Sequence, residues 1–496
     1  MGGFAFRLRL HPFFADALLT GLTQALILVA NLWLVNLVSR WMGVAALGEY
    51  LLLKRVSAWL LTGTQLGLGV ALPREIARAS VEGAERGRQC FAAAFLVLIP
   101  ALAVVSIAGG AAAAPLVRLC FGSRNQQLVF ALLCLLAGSA LQTMVFGYYR
   151  GLQKMRFGNL VQLGGLVAIP LLSIALLRGS LSAALLVEVT GAIMAAASVL
   201  WALPILFRAF AAGWTILADA KRLLGYGMAR VPADLAIGAL LALGPMLVAH
   251  AAGMAQVSYF LLGVTALTMI CLAFWPVVMM LLAKISSHLA WGRAAEVIEY
   301  VQHLRSAVVQ LSLLAMTQGI IFAAPLMRWW LGDSYLVGIP VICALLAATP
   351  AYLYYYSMRS VLDAASNTPY NTYNLLLALG AFVIGSSALL GFGSGQWITL
   401  GIPVMLTISL YLLAFATDRS LHCVELVRHT PSWKSLWIVA VLGAISLSVQ
   451  WTCRFQTSRP VLVAVLVFNA VAGILLLRRS KPEWVEFLGR IAFSRA

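Results

Sequence analysis

About fourteen stretches of roughly 20 predominantly apolar residues, separated by short polar breaks, run the length of this chain and leave it few folds to choose from. A stretch of that length crosses the hydrocarbon core as a helix. In lipid each backbone N–H and C=O must be satisfied within its own segment, so the helix is forced rather than chosen. The spans fall at roughly 17 to 39, 47 to 72, 89 to 114, 126 to 149, 158 to 178, 182 to 207, 231 to 250, 256 to 283, 305 to 327, 336 to 359, 372 to 391, 396 to 417, 436 to 453 and 459 to 477. Only 10% of the 496 residues are charged and 62% are hydrophobic, with a mean hydropathy of +0.96. A soluble domain carries about 25% charged residues to cover its surface. The expected fold is an all-α polytopic integral membrane protein of about 14 transmembrane helices.

The net charge of +18 raises nucleic acid as a partner, and the distribution of the cations answers it. With the N-terminus inside, 25 of the 34 Lys and Arg residues fall on inner loops and tails, 7 fall on outer loops and 2 lie within a span. The positive-inside rule then places both termini in the cytoplasm and explains the basic balance without nucleic acid. The inner loops 73 to 88, 208 to 230, 284 to 304 and 418 to 435 read as amphipathic interfacial helices, with anionic membrane lipid as their partner. No outer loop is long enough to hold a folded domain. The seven cysteines are scattered without CxxC or Cys/His spacing, so no metal site, disulfide framework or cofactor is indicated. The basic segment before the first span has no small-residue cleavage site and reads as an uncleaved first helix.

An internal repeat is visible. APLVRLCFGS (114 to 123) matches APLMRWWLGDS (324 to 334), and Gly43, Tyr50 and Arg150 fall over Gly253, Tyr259 and Arg359. The offset spans six helices, an even number, so both copies enter the membrane in the same direction. The expectation is two six-helix lobes related by a pseudo-two-fold axis along the membrane normal, with two extra C-terminal helices. The corresponding boundaries are an N-terminal lobe at 1–207, a cytoplasmic connector at 208–230, a C-terminal lobe at 231–417, and spans 13 and 14 with a basic tail at 418–496.

Lys54 and Arg55 lie inside span 2. A charged side chain near the bilayer centre costs about 2.5–3.5 kcal/mol on insertion scales, which favours a wet interior over lipid. NLVSRWMGVAALGEYLLL, GLGVALPREIAR and YYRGLQKMRFGNLVQ resemble the polysaccharide transporter family, the Wzx-type lipid-linked oligosaccharide flippases of the multidrug/oligosaccharidyl-lipid/polysaccharide exporter superfamily. The likeness covers residues 15 to 415. It implies two six-helix lobes around a central cationic cavity. It also implies alternating-access transfer of an undecaprenyl-pyrophosphate-linked oligosaccharide across a bacterial inner membrane, for exopolysaccharide or O-antigen synthesis, alongside polymerase and export machinery. By position, Lys54 and Arg55 match the cavity cations of such flippases.

The chemistry fits that implication, because a diphosphate and its sugars need a hydrated cleft with cations and polar groups. Candidate substrate contacts are Lys54, Arg55, Arg40 at the outer end of span 1, His250 at the matching place in span 7, and Arg230 at the inner end of span 7. Gln24, Asn31, Asn36, Gln65, Gln142 and Gln162 are candidate polar lining. Glu188 and Asp234 are the carboxylates placed to couple transport to an ion. Each has a plain alternative: Lys54 and Arg55 snorkelling to the outer interface, Arg40 and His250 marking span ends, Arg230 serving as one more inner-leaflet cation, and the carboxylates pairing with a neighbouring Arg. Tyr148, Tyr149 and the tyrosines from 352 to 356 read as an interfacial belt.

Two further functions are weighed against this one. A drug or organic-cation antiporter of the same superfamily needs buried carboxylates, where span 2 offers the opposite sign. A membrane polymerase or ligase needs a sizeable outer loop. No P-loop, DxD, HExxH or GxSxG stands in a suitable context, and the GxGxG at Gly391, Gly393 and Gly395 lies in an outer turn between spans. The expectation is a carrier, not an enzyme.

Overall fold

The computed structural model describes residues 12–80, 83–177, 182–210, 216–273, 285, 294–366, 368–392, 395–427, 436–452 and 458–480. Among them the secondary structure is helical, without a strand. Ten helices are long and apolar enough to cross a membrane, eleven when one bent pair is taken as a single span. The first of these is divided at Gly43, and two shorter apolar helices follow near the C-terminus. Together they follow the expected spans in order, with 274 to 283 of the span expected at 256 to 283 lying outside the described residues, and the chain is a multi-pass membrane protein. It divides into two compact units, Met1–Leu235 and Ala236–Ala496.

The first unit holds α1 (Pro12–Thr64), α2 (Leu68–Ala79), α3 (Ala84–Ala111), α4 (Ala113–Phe121), α5 (Gln127–Gly151), α6 (Met155–Leu163), α7 (Ile169–Leu176), α8 (Ala183–Phe210), α9 (Ile216–Met228) and the first turn of α10 (Val231–Ala252). Gly43 interrupts α1 with φ 82° and ψ 179°, a conformation open essentially to glycine alone. A π-helical turn at Gly164–Ala168 joins α6 to α7 into one span. The backbones of α5 and α8 approach closely. A Cβ on Gly191 would stand 2.4 Å from the Cys134 carbonyl carbon, and one on Gly138 would stand 2.5 Å from the Gly191 oxygen. Small residues let two backbones meet in this way, which is how membrane helices gain packing without a hydrophobic driving force.

Two expectations are corrected here. Span 2 does not run to residue 72: α1 stops at Thr64 because Leu66 (φ 49°) and Gly67 (φ 76°) turn the chain, and α2 begins afresh. Gly67 therefore caps α2. The loops at 73 to 88 and 208 to 230 are also not simply helices lying on a leaflet. In α2, Leu68, Leu72 and Ile76 recur at helical spacing and are buried with Phe91 and Leu98 of α3, Met144 of α5 and Leu223 of α9. The apolar faces of α2 and α9 close one end of the bundle, because protein surface was there to receive them.

The second unit holds the rest of α10, then α11 (Met254–Ala273), α12 (Ala294–Ile321), α13 (Ala323–Trp330), a 3-10 turn at Asp333–Gly338, α14 (Ile339–Leu346), α15 (Thr349–Ala365), α16 (Tyr370–Phe392), α17 (Gln396–Cys423), α18 (Leu436–Thr452) and α19 (Arg459–Ser480). The expected span at 336 to 359 is bent by 43° between α14 and α15, where Pro350 near the start of α15 cannot donate the hydrogen bond that would continue the helix. Gly253 (φ 80°) separates α10 from α11 as Gly43 divides α1. Gly332 (φ 100°) follows α13 as Gly122 (φ 58°) follows α4. The sequence repeat thus places a positive-φ glycine at the same positions in both copies, although Gly122 (ψ 21°) is left-handed helical and Gly332 (ψ 179°) is not. The C-terminal helices join this unit through α18, whose Ile438 and Leu442 pack with Ala307 of α12. Gln318, Ser446 and Asn469 then link α12, α18 and α19 by hydrogen bonds of 2.7 to 3.0 Å.

Candidate functional site

Asn31 and Lys54 are 23 residues apart, which in an unbroken helix is about 35 Å. The Lys54 Nζ nevertheless donates to Asn31 Oδ1 at 3.1 Å. The break at Gly43 lets the two halves of α1 run back along each other and bring these side chains together. Asn31 is fixed in turn by its own amide nitrogen, which donates to the Ile27 carbonyl at 2.9 Å. Tyr50, one turn before Lys54, places its ring centroid 5.3 Å from the ammonium.

Lys54 is half-buried, and among the described residues its partners are this neutral amide and this ring, with no carboxylate. Arg55 is also half-buried and makes interactions of its own. A half-buried ammonium held by neutral groups keeps its charge for an incoming anion, whereas one neutralised by a carboxylate does not.

The other candidates separate. Arg40 is exposed. His250 is exposed, with Nδ1 2.8 Å from the Met246 carbonyl one turn back. Arg230 is exposed and lies 5.1 Å from the centroid of the Tyr226 ring, which Arg74 also faces at 4.0 Å. Arg74 and Tyr226 were not singled out in the sequence, because α2 and α9 are separate there and meet only in the fold. Glu188 is half-buried and accepts from Gln127 Nε2 at 3.5 Å. Asp234 is half-buried in the first turn of α10, where a carboxylate suits the positive end of the helix.

The polar positions divide in the same way. Gln24 donates to Gln162 Oε1 at 2.8 Å, joining the first half of α1 to α6. Gln142 is not a cleft residue: it is buried, donates to the Val161 carbonyl at 3.1 Å, and fills the space that a side chain at Gly165 would need. Gln65 is buried, and Asn36 is half-buried with interactions of its own.

Two partly buried ionic clusters have no counterpart among the sequence candidates. In the first unit, Arg86 at the start of α3 clasps Asp219 of α9 through both terminal nitrogens, at 2.7 and 2.8 Å. In the second, Arg305 of α12, Tyr354 of α15 and Asp418 of α17 form one hydrogen-bonded cluster, with Arg305 Nε donating to the Tyr354 hydroxyl at 2.9 Å. Tyr354 is therefore a buried member of a polar network and not part of an interfacial belt. Among the described residues no group of three His, Cys, Asp or Glu side chains is placed to hold a metal ion.

No protein-family model and no curated protein sequence matches this chain. Solved structures do. The chain superposes on the lipid II flippase MurJ in an inward closed conformation with a TM-score of 0.71, at 12% identity, over 94% of this chain and all of that one. The fold is shared with known transporters. An inward-facing multidrug-resistance MATE transporter of the MOP superfamily matches at a TM-score of 0.63 and 14% identity, over 80% of this chain and 93% of the other. A Vibrio cholerae MATE transporter matches at 0.55 and 15% identity, over 83% and 98%. At these identities the likeness is one of fold, and the residues of the site must be argued from this chain.

Proposed function

We propose that this chain is a flippase for lipid-linked oligosaccharide. In this reading it moves undecaprenyl-pyrophosphate-linked repeat units across a bacterial inner membrane by alternating access, for exopolysaccharide or O-antigen assembly. The carrying observation is Lys54, a half-buried cation within a span that is held by Asn31 and Tyr50 and left without a carboxylate among the described residues. A diphosphate needs such a charge, and its sugars need amides of the kind that Asn31 offers. Arg55 is a second cavity cation in this reading, and Arg40 and His250 contact the substrate near the outer face. Arg230, beside Arg74 on the Tyr226 ring, receives the head group from the cytoplasmic leaflet. Glu188 and Asp234 are the groups through which an ion would be coupled. The repeated halves at 1–207 and 231–417 act as the two lobes, both termini are cytoplasmic, and polysaccharide polymerase and export machinery take up the product.

The test is the double variant Lys54→Ala with Arg55→Ala in a strain deleted for the native gene, with lipid-linked oligosaccharide located by leaflet in spheroplasts. Export should stop, with intermediates held on the cytoplasmic face at unchanged protein level. Normal export from that variant would remove the role given to these cations. The MATE likeness keeps an organic-cation antiporter as a second reading, and the sign of the charge at Lys54 weighs against it. Drug resistance that falls on deletion while surface polysaccharide stays intact would favour the antiporter.

A further inference from the structure

A groove of about 690 Å³ opens on the first unit where the ends of α3, α5 and α8 meet the start of α6. Its lining has two characters. Arg88, Lys154 and Arg208 stand around it without a carboxylate among the lining residues. The remaining wall is apolar and aromatic, with Leu200, Trp201 and Pro204 from α8 and Tyr148 and Tyr149 from α5. The wall is built: Trp201 Nε1 donates to the Tyr149 hydroxyl at 2.8 Å, and Tyr149 stacks on Phe157 with ring centroids 5.5 Å apart. Leu200 and Trp201 are exposed on the outside of α8. Arg88 reaches Glu85, an exposed carboxylate outside the groove, whereas Lys154 and Arg208 have no carboxylate partner among the described residues.

We infer that this groove is a binding site for an anionic glycerophospholipid, with its phosphate among Arg88, Lys154 and Arg208 and its acyl chains along Leu200, Trp201 and Pro204. Charge complementarity selects the occupant. Lys154 and Arg208, with no carboxylate partner among the described residues, repel each other across the opening, and an anion carrying an apolar tail offsets that repulsion while covering α8. A free anion would leave the apolar wall bare, and a zwitterionic lipid would bring its own cation to the cluster. The volume suits a head group and glycerol, with the tails continuing over the helix surface. All three cations belong to the set that the charge asymmetry assigns to the cytoplasmic side, where anionic lipid is found. This site is separate from Lys54 and stands whether or not the chain moves oligosaccharide.

The experiment uses the purified full chain in nanodiscs, titrated with dioleoylphosphatidylglycerol or dioleoylphosphatidylethanolamine brominated on the acyl chains, with tryptophan quenching as the readout and Trp201→Phe isolating the contribution of this site. Phosphatidylglycerol should quench the Trp201 component at least tenfold more effectively. The double variant Lys154→Ala with Arg208→Ala should weaken it by about 25-fold, roughly fivefold per cation. The variant Lys154→Arg with Arg208→Lys should retain the preference, which separates lost charge from lost fold. Equal quenching by the two lipids would overturn the proposal, as would an undiminished preference in the alanine double variant. So would displacement of the phosphatidylglycerol by a lipid-linked diphosphate alone. Failure of the flippase reading would appear in the Lys54 variant, which leaves this readout unchanged.

Discussion

Replacing Asp219 with alanine should release α9 from the end of the first unit. Asp219 is 3% exposed, and its two oxygens take both terminal nitrogens of Arg86, which is 23% exposed. Breaking a buried pair costs about 3–5 kcal/mol, because one charge stays behind without its partner. Arg86 keeps some water and a second acceptor, Gln89 Oε1 at 3.1 Å, so the cost belongs at the lower end, about 3 kcal/mol. At about 1.4 kcal/mol per decade, the opening of α9 should rise roughly 150-fold. Hydrogen exchange on purified protein reads this directly: peptides from Ile216–Met228 lose protection while those from Gln127–Gly151 do not. Pairing Arg86→Met with Asp219→Leu should recover most of the loss, since two apolar groups leave no stranded charge. Exchange in α9 within about threefold of the parent after Asp219→Ala would refute the reasoning, as would an equal loss of protection throughout the unit.

The break in α1 gives a second prediction. Gly43→Ala meets open space, so its cost is conformational alone, about 1–3 kcal/mol, and it should lower the unfolding temperature in detergent while Gly21→Ala does not; equal stability of the two variants would contradict it. Thiol chemistry gives a third. Burial pushes the Cys120 thiol above its ordinary range, so maleimide should modify exposed Cys423 first and Cys120 only as the pH is raised; equal rates at neutral pH would count against the burial of α4.

The spans were legible in the sequence because crossing a bilayer is a local requirement: about 20 apolar residues and an internally bonded backbone suffice, whatever the neighbours are. The repeat was legible for a related reason, since Gly43 and Gly253, or Gly122 and Gly332, hold backbone angles that favour glycine and so leave a mark at one position. Hydropathy was less informative where an apolar helix had two surfaces open to it. Nothing in Leu68–Ala79 distinguishes a face destined for lipid from one destined for α3, and the structure put it against protein. Likewise Gln142 reads as cleft lining until α6 is seen to pass over it.

The sequence by itself determined the helical class, the positions of the spans, the asymmetry of charge and the presence of cations in span 2. Only the tertiary structure decided what each charge meets. Arg86 and Asp219 are 133 residues apart, and Arg305 and Asp418 are 113 apart. Electrostatic attraction acts over a few ångströms in space and has no register along the chain, so these pairs exist only once the helices between them have packed. Lys54 shows both sides: its place in a span follows from hydropathy, and its partnership with Asn31 follows from a chain that doubles back at Gly43.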